Sequence, residues 1–459
     1  MEILSNGAAR TVTGSCHLVT LDDRRILIDC GFFQGPKELE KRNREPFPFE
    51  AGDLDAVLVT HGHLDHVGRL PKLVREGYRG PIYATRATRE IAEIILRDAA
   101  HLQREDYQRA LRKARRAGRE SLIAPPLFDE EDVRATLALF REPVEFATPL
   151  ALGRTLHVTF QPAGHVLGSA WIELATPHLR VTASGDLGNR ESALQAPATL
   201  PRECDVVLIE TTYANRNHRS REATREEFRQ VVTAAVARGG NVLIPSFALE
   251  RTQQVLYQLR QLLELGEVPR AAVYLDSPMA TKFTKLYQTC KNEFRPEVEK
   301  LLEEGDDPFE PETLSYTVST EASKALNEVK GGAIIVAGSG MMTGGRIRHH
   351  LKHNLWRQEA SLVVVGYQAS GTLGRALVDG AKRVRIFGET IAVRARIHTI
   401  GGFSAHADQD DLLRWLKASG NAKVLLVHGE EAVMEGFQGL LEGLGRRVIL
   451  PRPDTPVAF

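Results

Sequence analysis

Over the first 85 residues, short apolar runs alternate with turn and polar residues. Arg25–Asp29, Ala56–Thr60 and Pro81–Thr85 each read as a buried strand that ends in turn or polar residues. From Arg86 the period changes. Ile91, Ile94, Ile95, Ala99 and Leu102 recur at helical spacing and predict a long helix to about Ala117, with Gly118 placed to stop it. The second half of that helix is basic, from Arg104 to Arg119, which reads as a solvated face. Strands return at Leu156–Gln161, Trp171–Ala175, Arg180–Ala183 and Asp205–Glu210.

From about residue 220, helical segments (Arg221–Arg238, Glu250–Leu265, Gly344–Trp356) alternate with apolar runs (Val242–Ile244, Ala272–Leu275, Ala333–Val336, Leu362–Val365). That alternation predicts a parallel, doubly wound sheet. After about residue 385 the pattern is β-rich again and closes with two helices around the strand Val424–Val427. The middle therefore reads as a domain inserted into the first one.

With 459 residues, 42% hydrophobic and 26% charged, the chain has globular proportions and room for two or three domains. No apolar run approaches the roughly 20 residues of a membrane span, and no basic segment leads into an apolar core at the N-terminus, so neither a membrane partner nor a signal peptide is expected. Cys16, Cys30, Cys204 and Cys290 lack paired spacing, which excludes a disulfide framework and suits a reducing, cytoplasmic setting. The 59 basic and 59 acidic residues cancel, but not locally. Residues 331–400 hold ten basic residues against three acidic ones, the kind of imbalance that attracts a phosphate backbone.

The chemistry concentrates in His61-Gly62-His63-Leu64-Asp65-His66, directly after an apolar strand. His61 and His63, two apart, can face one ion, while Asp65 and His66 would face a second. Imidazole with carboxylate and no thiolate favours zinc, with manganese as the alternative. One turn cannot complete two sites. Ala163-Gly164-His165, Ser184-Gly185-Asp186 and Leu426-Val427-His428 each end an apolar strand in a further ligand, and Asp186 can bridge two cations. Asp29, ending its own strand, reads as orienting a ligand histidine.

The order Asp29, His61/His63/Asp65/His66, His165, Asp186, His428 resembles the metallo-β-lactamase superfamily. Glu210-Thr211-Thr212-Tyr213, Pro245-Ser246-Phe247-Ala248, Gly340 to Arg346, Gly371 to Arg375 and Gly402 to Asp408 narrow the resemblance to the β-CASP nucleases. Within these, the chain is similar to bacterial and archaeal relatives of the subunit that cleaves pre-mRNA before polyadenylation. One departure is Glu250, which stands before Arg251 where the family usually has glycine.

The resemblance implies a fold class of α/β: an αββα metallo-β-lactamase sandwich (residues 1–208 and 390–459) with an inserted parallel-sheet β-CASP domain (residues 209–389). It implies one zinc on His61, His63 and His165, another on Asp65, His66 and His428, and Asp186 between them. Glu210 and His406 match the family's acid–histidine pair, and the catalytic set is expected to comprise Asp29, Asp65, Glu210 and His406. The activity implied is a zinc-dependent ribonuclease on single-stranded RNA, working by two-metal hydroxide attack and leaving 5′-phosphate and 3′-hydroxyl ends. Cleavage is expected to be endonucleolytic, with 5′-to-3′ exonuclease action as a further mode and a homodimer left open. His428 favours RNA over DNA, since the DNA-processing branch commonly has an apolar residue there.

The Gly338–Gly345 segment leads into a helix start near Ile347, so Ser339, Gly340, Arg346 and Arg375 are the expected substrate-binding residues. Two other readings compete: a hydrolase of a small thioester or lactam on the same core, and a non-catalytic RNA-binding scaffold. The long basic insert argues against the first, and the complete ligand set against the second. Tyr213 and Phe403 are either base-stacking or core residues.

Overall fold

Each strand of the N-terminal sheet needs two apolar faces, and its sequence supplies both. Leu18, Leu27 and Val57 point to one side, where they pack with Val67, Leu70, Leu73 and with Ala92 and Leu96 of the long helix. Their neighbours Val19, Ile26, Ile28 and Leu58 point to the other side and meet Val158, Phe160, Ile172, Leu174, Val206 and Leu208 of a second sheet. The far face of that second sheet (Val207, Ile209, Val424, Leu426) is covered by Leu412, Trp415, Leu416, Met434 and Phe437 of the two C-terminal helices. Period-two alternation thus builds four layers, helix, sheet, sheet, helix.

The computed structural model describes residues 1–116, 123–290, 292–369 and 371–459. Ala117, Gly118 and Arg119, expected to end the long helix, lie outside the described residues. That helix runs Arg86–Arg115, with Thr85 accepting from the Thr88 amide at its start. Among the described residues no helix is long and apolar enough to cross a membrane.

The chain divides into two units. The first combines Met1–Arg190, Pro197–Asn217 and His406–Phe459, and the second Glu191–Ala196 with His218–Ala405. In the first unit the six-stranded sheet has the order Pro456–Ala458, Glu2–Gly7, Cys16–Leu21, Arg24–Ile28, Ala56–Leu58, Ile82–Tyr83. The seven-stranded sheet has the order Val448–Ile449, Lys423–Val427, Val206–Glu210, Arg180–Ala183, Ala170–Ala175, His157–Pro162, Leu150–Ala151. Arg24–Ile28 and Ala56–Leu58 are parallel, as are Arg180–Ala183, Val206–Glu210 and Lys423–Val427. Their carboxyl ends therefore emerge together, the usual place for a site in a parallel array.

The second unit is a six-stranded, wholly parallel sheet of order Leu314–Tyr316, Ala272–Asp276, Ala333–Ala337, Val242–Pro245, Ser361–Val364, Arg396–Thr399. Apolar helices cover both faces. Arg396–Thr399, which the sequence division gave to the lactamase core, pairs here with Ser361–Val364. Phe403 is buried against Phe228 with ring centroids 5.3 Å apart, so of the two readings offered for it, core packing holds.

Candidate metal centre

Four strand ends and one short helix deliver the candidate ligands, all within the first unit. Asp29 follows Arg24–Ile28 in a left-handed conformation (φ 59°) that turns its side chain inward. Its Oδ1 accepts from the Thr60 amide at 2.8 Å and its Oδ2 from the Thr60 hydroxyl at 2.7 Å. Oδ2 also lies 2.7 Å from His66 Nδ1. The Nδ1 side of His66 is thereby occupied, and Nε2 points to the centre. His61 is held in the same way, with Nδ1 3.1 Å from the Thr60 hydroxyl, and Thr212 Oγ1 sits 3.0 Å from Nδ1 of His428. Gly185, before Asp186, has φ 51°, and a Cβ there would lie 2.8 Å from Thr60 Cβ, so close sheet packing requires the glycine.

The donor atoms gather in two sets that share one carboxylate. In the first, His61 Nε2 is 3.0 Å from His63 Nδ1, which is 3.3 Å from His165 Nε2. Asp186 Oδ2 lies 3.4 Å from His61 Nε2 and 3.5 Å from His165 Nε2. In the second, His66 Nε2 is 3.2 Å from His428 Nε2. Asp186 Oδ1 lies 3.4 Å and 3.5 Å from those two nitrogens, and Asp65 Oδ2 is 3.6 Å from His428 Nε2. Donors around a tetrahedral ion with bonds of about 2.0–2.1 Å are separated by about 3.3–3.4 Å, so both sets have the spacing of a ligand shell. Asp186 Oδ1 is buried without a hydrogen bond, a costly arrangement that a cation would relieve. The residues fit divalent metal.

Two of the ligand histidines are already in the metal-binding form, whereas at His66 the carboxylates of Asp186 and Asp29 outweigh burial and hold the imidazole well above the ordinary histidine range. Burial, and then the neighbouring imidazole of His66, hold His61 well below the ordinary histidine range. Burial brings His63 down to about 4, despite the opposing carboxylates of Asp65 and Asp186. Both are neutral near pH 7, the form that binds metal. For Asp186 the cost of burial is outweighed by the electrostatic pull of the surrounding imidazoles, His428 and His66 foremost, and its carboxyl stays well below the usual range.

Glu210 ends the strand Val206–Glu210 and is fully buried. Both its oxygens lie 3.2 Å from His406 Nδ1, and they also accept from the amides of Leu187 (2.8 Å) and Thr212 (3.3 Å). His406 Nδ1 is 3.9 Å from Asp186 Oδ2, which places the pair beside the donor sets. Burial lowers the His406 pKa, but the charge and hydrogen bonding of Glu210 outweigh it, with Asp186 and Asp65 adding to them, and raise it to about 9.

Sequence reasoning missed the two threonines that hold the ligand histidines. Their signal was a hydroxyl directly before His61 and inside Glu210-Thr211-Thr212-Tyr213. His17, outside both donor sets, is buried between Ser5 Oγ (2.9 Å) and Ser15 Oγ (3.3 Å). The Arg216 guanidinium stacks 4.5 Å from the Tyr213 ring centroid.

The four expected substrate-binding residues belong to the second unit. Ser339 and Gly340 lie in the loop after Ala333–Ala337. That loop folds on itself: the Ser339 amide donates to Gly344 O, the Met342 amide to Ser339 O, and the Gly344 amide to Ser339 Oγ. Arg346 spends its terminal nitrogens on Asp276 Oδ1 (2.8 Å) and on the carbonyls of Thr317 (2.6 Å) and Val318 (2.7 Å). Arg375 pairs with Asp379 one helical turn on.

Three family descriptions match the chain: the metallo-beta-lactamase superfamily over residues 9–234, the Beta-Casp domain over 252–377, and a Zn-dependent metallo-hydrolase RNA specificity domain over 390–451. Ribonuclease TTHA0252 of Thermus thermophilus is 46% identical over 452 residues, 98% of each chain. The transcription termination factor FttA of Methanocaldococcus jannaschii is 33% identical over 455 residues, 96% of this chain and 69% of that one. A crystal structure of an Enterococcus faecalis protein of unknown function shares the fold, with a TM-score of 0.58 at 14% identity over 100% of this chain and 99% of that one. The glycine-flanked strand ends, the shared carboxylate and the parallel-sheet insert are thus features of a known group of enzymes, and this chain belongs to the β-CASP family of metallo-hydrolases within the metallo-β-lactamase superfamily.

Proposed function

We propose that the protein is a zinc-dependent ribonuclease that hydrolyses single-stranded RNA and leaves 5′-phosphate and 3′-hydroxyl ends. The observation that carries this reading is the pair of donor sets sharing Asp186, with a protonated histidine beside them. In it, His61, His63 and His165 hold one ion, Asp65, His66 and His428 hold the other, and Asp186 serves both. Divalent ions bound there supply Lewis-acid chemistry, polarising phosphoryl oxygens and lowering the pKa of water.

The chain's own residues do the rest. Asp29 and Thr60 fix the ring of His66, and Thr212 that of His428, so the ligands are ordered before metal arrives. Glu210 takes the Nδ1 side of His406, so the proton given to the departing 3′ oxygen comes from Nε2. The buried Glu210 keeps that imidazole charged at neutral pH. Ser339, Gly340 and Arg375 contact the substrate, while Arg346, already spent on Asp276 and two carbonyls, holds the loop. The lactamase core starts with residues 1–208 and the insert begins at 209, but the insert's end moves from 389 to about 405 because Arg396–Thr399 belongs to its sheet. A cytoplasmic setting suits the four unbridged cysteines.

A ribonuclease and a transcription termination factor among the relatives support a nucleic-acid substrate over a lactam or thioester. The test is incubation of the zinc-loaded protein with 5′-labelled and 3′-labelled single-stranded RNA. Cleavage to 5′-phosphate and 3′-hydroxyl products is expected. A 2′,3′-cyclic phosphate, or no cleavage with zinc and manganese both supplied, overturns the reading.

A further inference from the structure

In the second unit, the strands Arg383–Ile386 and Glu389–Ala392 form a two-stranded hairpin. Val384 and Ile386 are buried, whereas Arg383 and Arg385 face solvent. The two residues of the turn, Phe387 and Gly388, both have positive φ, 51° and 86°. Such a turn favours Asn-Gly or Asp-Gly, because a side chain with a bulky Cβ substituent is strained at positive φ. Phe387 accepts that strain, and the residue is still 48% exposed. Among the described non-glycine residues with positive φ it is the one large apolar side chain left in solvent; Met342, by contrast, is fully buried. Neither turn propensity nor core packing accounts for a phenylalanine here, and unexplained strain of this kind is concentrated at functional positions.

The ring has cationic and planar neighbours. The Arg348 guanidinium lies 4.7 Å from its centroid, and the His349 ring packs against it at 4.5 Å with a 32° tilt. Nearby acids do not cancel this charge. Glu389 is paired with Lys352 at 2.6 Å. Arg348, Arg383 and Arg385 make no ion pair among the described residues, although the pairs formed by Arg346, Lys352 and Arg375 show that partners are used elsewhere in this segment.

We propose that Phe387, with Arg348, His349, Arg383 and Arg385, forms a base-stacking and phosphate-binding platform for single-stranded RNA. An aromatic side chain half in solvent, beside Arg348 and on the same hairpin as the solvent-facing Arg383 and Arg385, suits an unstacked base and its flanking phosphates, which a duplex does not offer. The proposal rests on the reading of the protein as an enzyme of single-stranded RNA. It names where on the second unit the strand is gripped.

The test uses zinc-loaded full-length protein and a fluorescent 12-nucleotide phosphorothioate oligo(rA), which resists cleavage, followed by anisotropy. Phe387→Ala is expected to weaken binding about tenfold and Phe387→Trp to preserve it. Arg383→Ser/Arg385→Ser is expected to make the slope of log affinity against log salt shallower by about 1.4. Phe387→Asn separates stacking from folding: asparagine suits the turn, so the melting temperature should hold or rise while affinity falls as in Phe387→Ala. Full affinity in Phe387→Asn and Phe387→Ala overturns the proposal. So does a change in oligomeric state with RNA affinity unmoved, which would make the ring a protein contact. Labelled RNA is digested in parallel. Cleavage with equal affinity in every variant sinks the platform alone, whereas Phe387-dependent binding without any cleavage sinks the ribonuclease reading and leaves the platform standing.

Discussion

Glu210 presents both carboxylate oxygens to Nδ1 of His406 at 3.2 Å, so the whole carboxylate faces the one ring nitrogen. If His406 protonates the departing oxygen, its value depends on how poor that leaving group is. On RNA, His406→Ala should lower kcat by about 10²–10⁴-fold. On bis(p-nitrophenyl) phosphate, whose nitrophenolate leaves without a proton, the loss should stay below about fivefold. Equal losses on both substrates would assign His406 to metal or substrate positioning. Glu210→Gln should follow the same pattern in milder form.

Asp29 acts one step away from the metal. Its carboxylate holds His66 through Nδ1 at 2.7 Å and is itself fixed by the amide and hydroxyl of Thr60. Asp29→Asn keeps the shape but weakens the acceptor, and such outer contacts typically change metal affinity by about 10–100-fold. Competition with a chelator should show that loss, and excess zinc should restore most of the activity. An unchanged affinity would mean that Thr60 and packing alone orient His66.

The ligand cluster was legible in sequence where it is local. His61-Gly62-His63 follows a strand, and the glycine is demanded by packing, since a Cβ at Gly62 would lie 2.4 Å from Ile91 Cγ2. His165, Asp186 and His428 could be read as polar strand ends, but their convergence depends on sheet order, a long-range property that no window of residues contains. The same limit explains Arg346. Its sequence neighbours suggested a phosphate clamp, and its actual partner, Asp276, lies 70 residues earlier. Glu250 shows the reverse case. Its φ of 63° explains why resembling chains have glycine there. Its buried carboxylate accepts from Tyr287 (2.6 Å), Gln195 (3.0 Å) and Gln254 (2.9 Å), which explains how a larger residue is accommodated.

Because Asp186 offers one oxygen to each donor set, losing it should empty both. Zinc-loaded protein is expected to carry about two ions per chain by elemental analysis, as a dinuclear hydrolase does. Asp186→Asn should carry fewer than about one. Zinc binding to the folded state also raises the midpoint of thermal unfolding, and stripping with a chelator should lower it. A wild-type content of about one ion, unmoved by further zinc, would refute the dinuclear assignment while leaving a mononuclear one.

Asp276 stands at the end of its strand, fully buried, with four donors converging on it. Oδ1 accepts from Thr317 Oγ1 and Arg346 Nη1, both at 2.8 Å; Oδ2 accepts from Ser323 Oγ at 2.7 Å and lies 2.6 Å from His350 Nε2. Burial pushes this carboxyl up, but the hydrogen bonds from His350, Ser323, Thr317 and Arg346 outweigh it and bring it down to about 2. A carboxyl depressed in the folded state stabilises above its unfolded pKa of about 3.9 and loses that contribution as pH falls through the folded value. The linkage amounts to about 2 kcal/mol at pH 7 and roughly half of that at pH 3. Asp276→Asn abolishes it and leaves buried donors poorly matched, so the variant should be less stable by about 2–3 kcal/mol at pH 7. Denaturant titrations of both proteins should show the gap narrowing between pH 4 and pH 2, as expected for a network that needs the ionised acid. A gap constant across that range would mean that Asp276 is held by shape and not by charge.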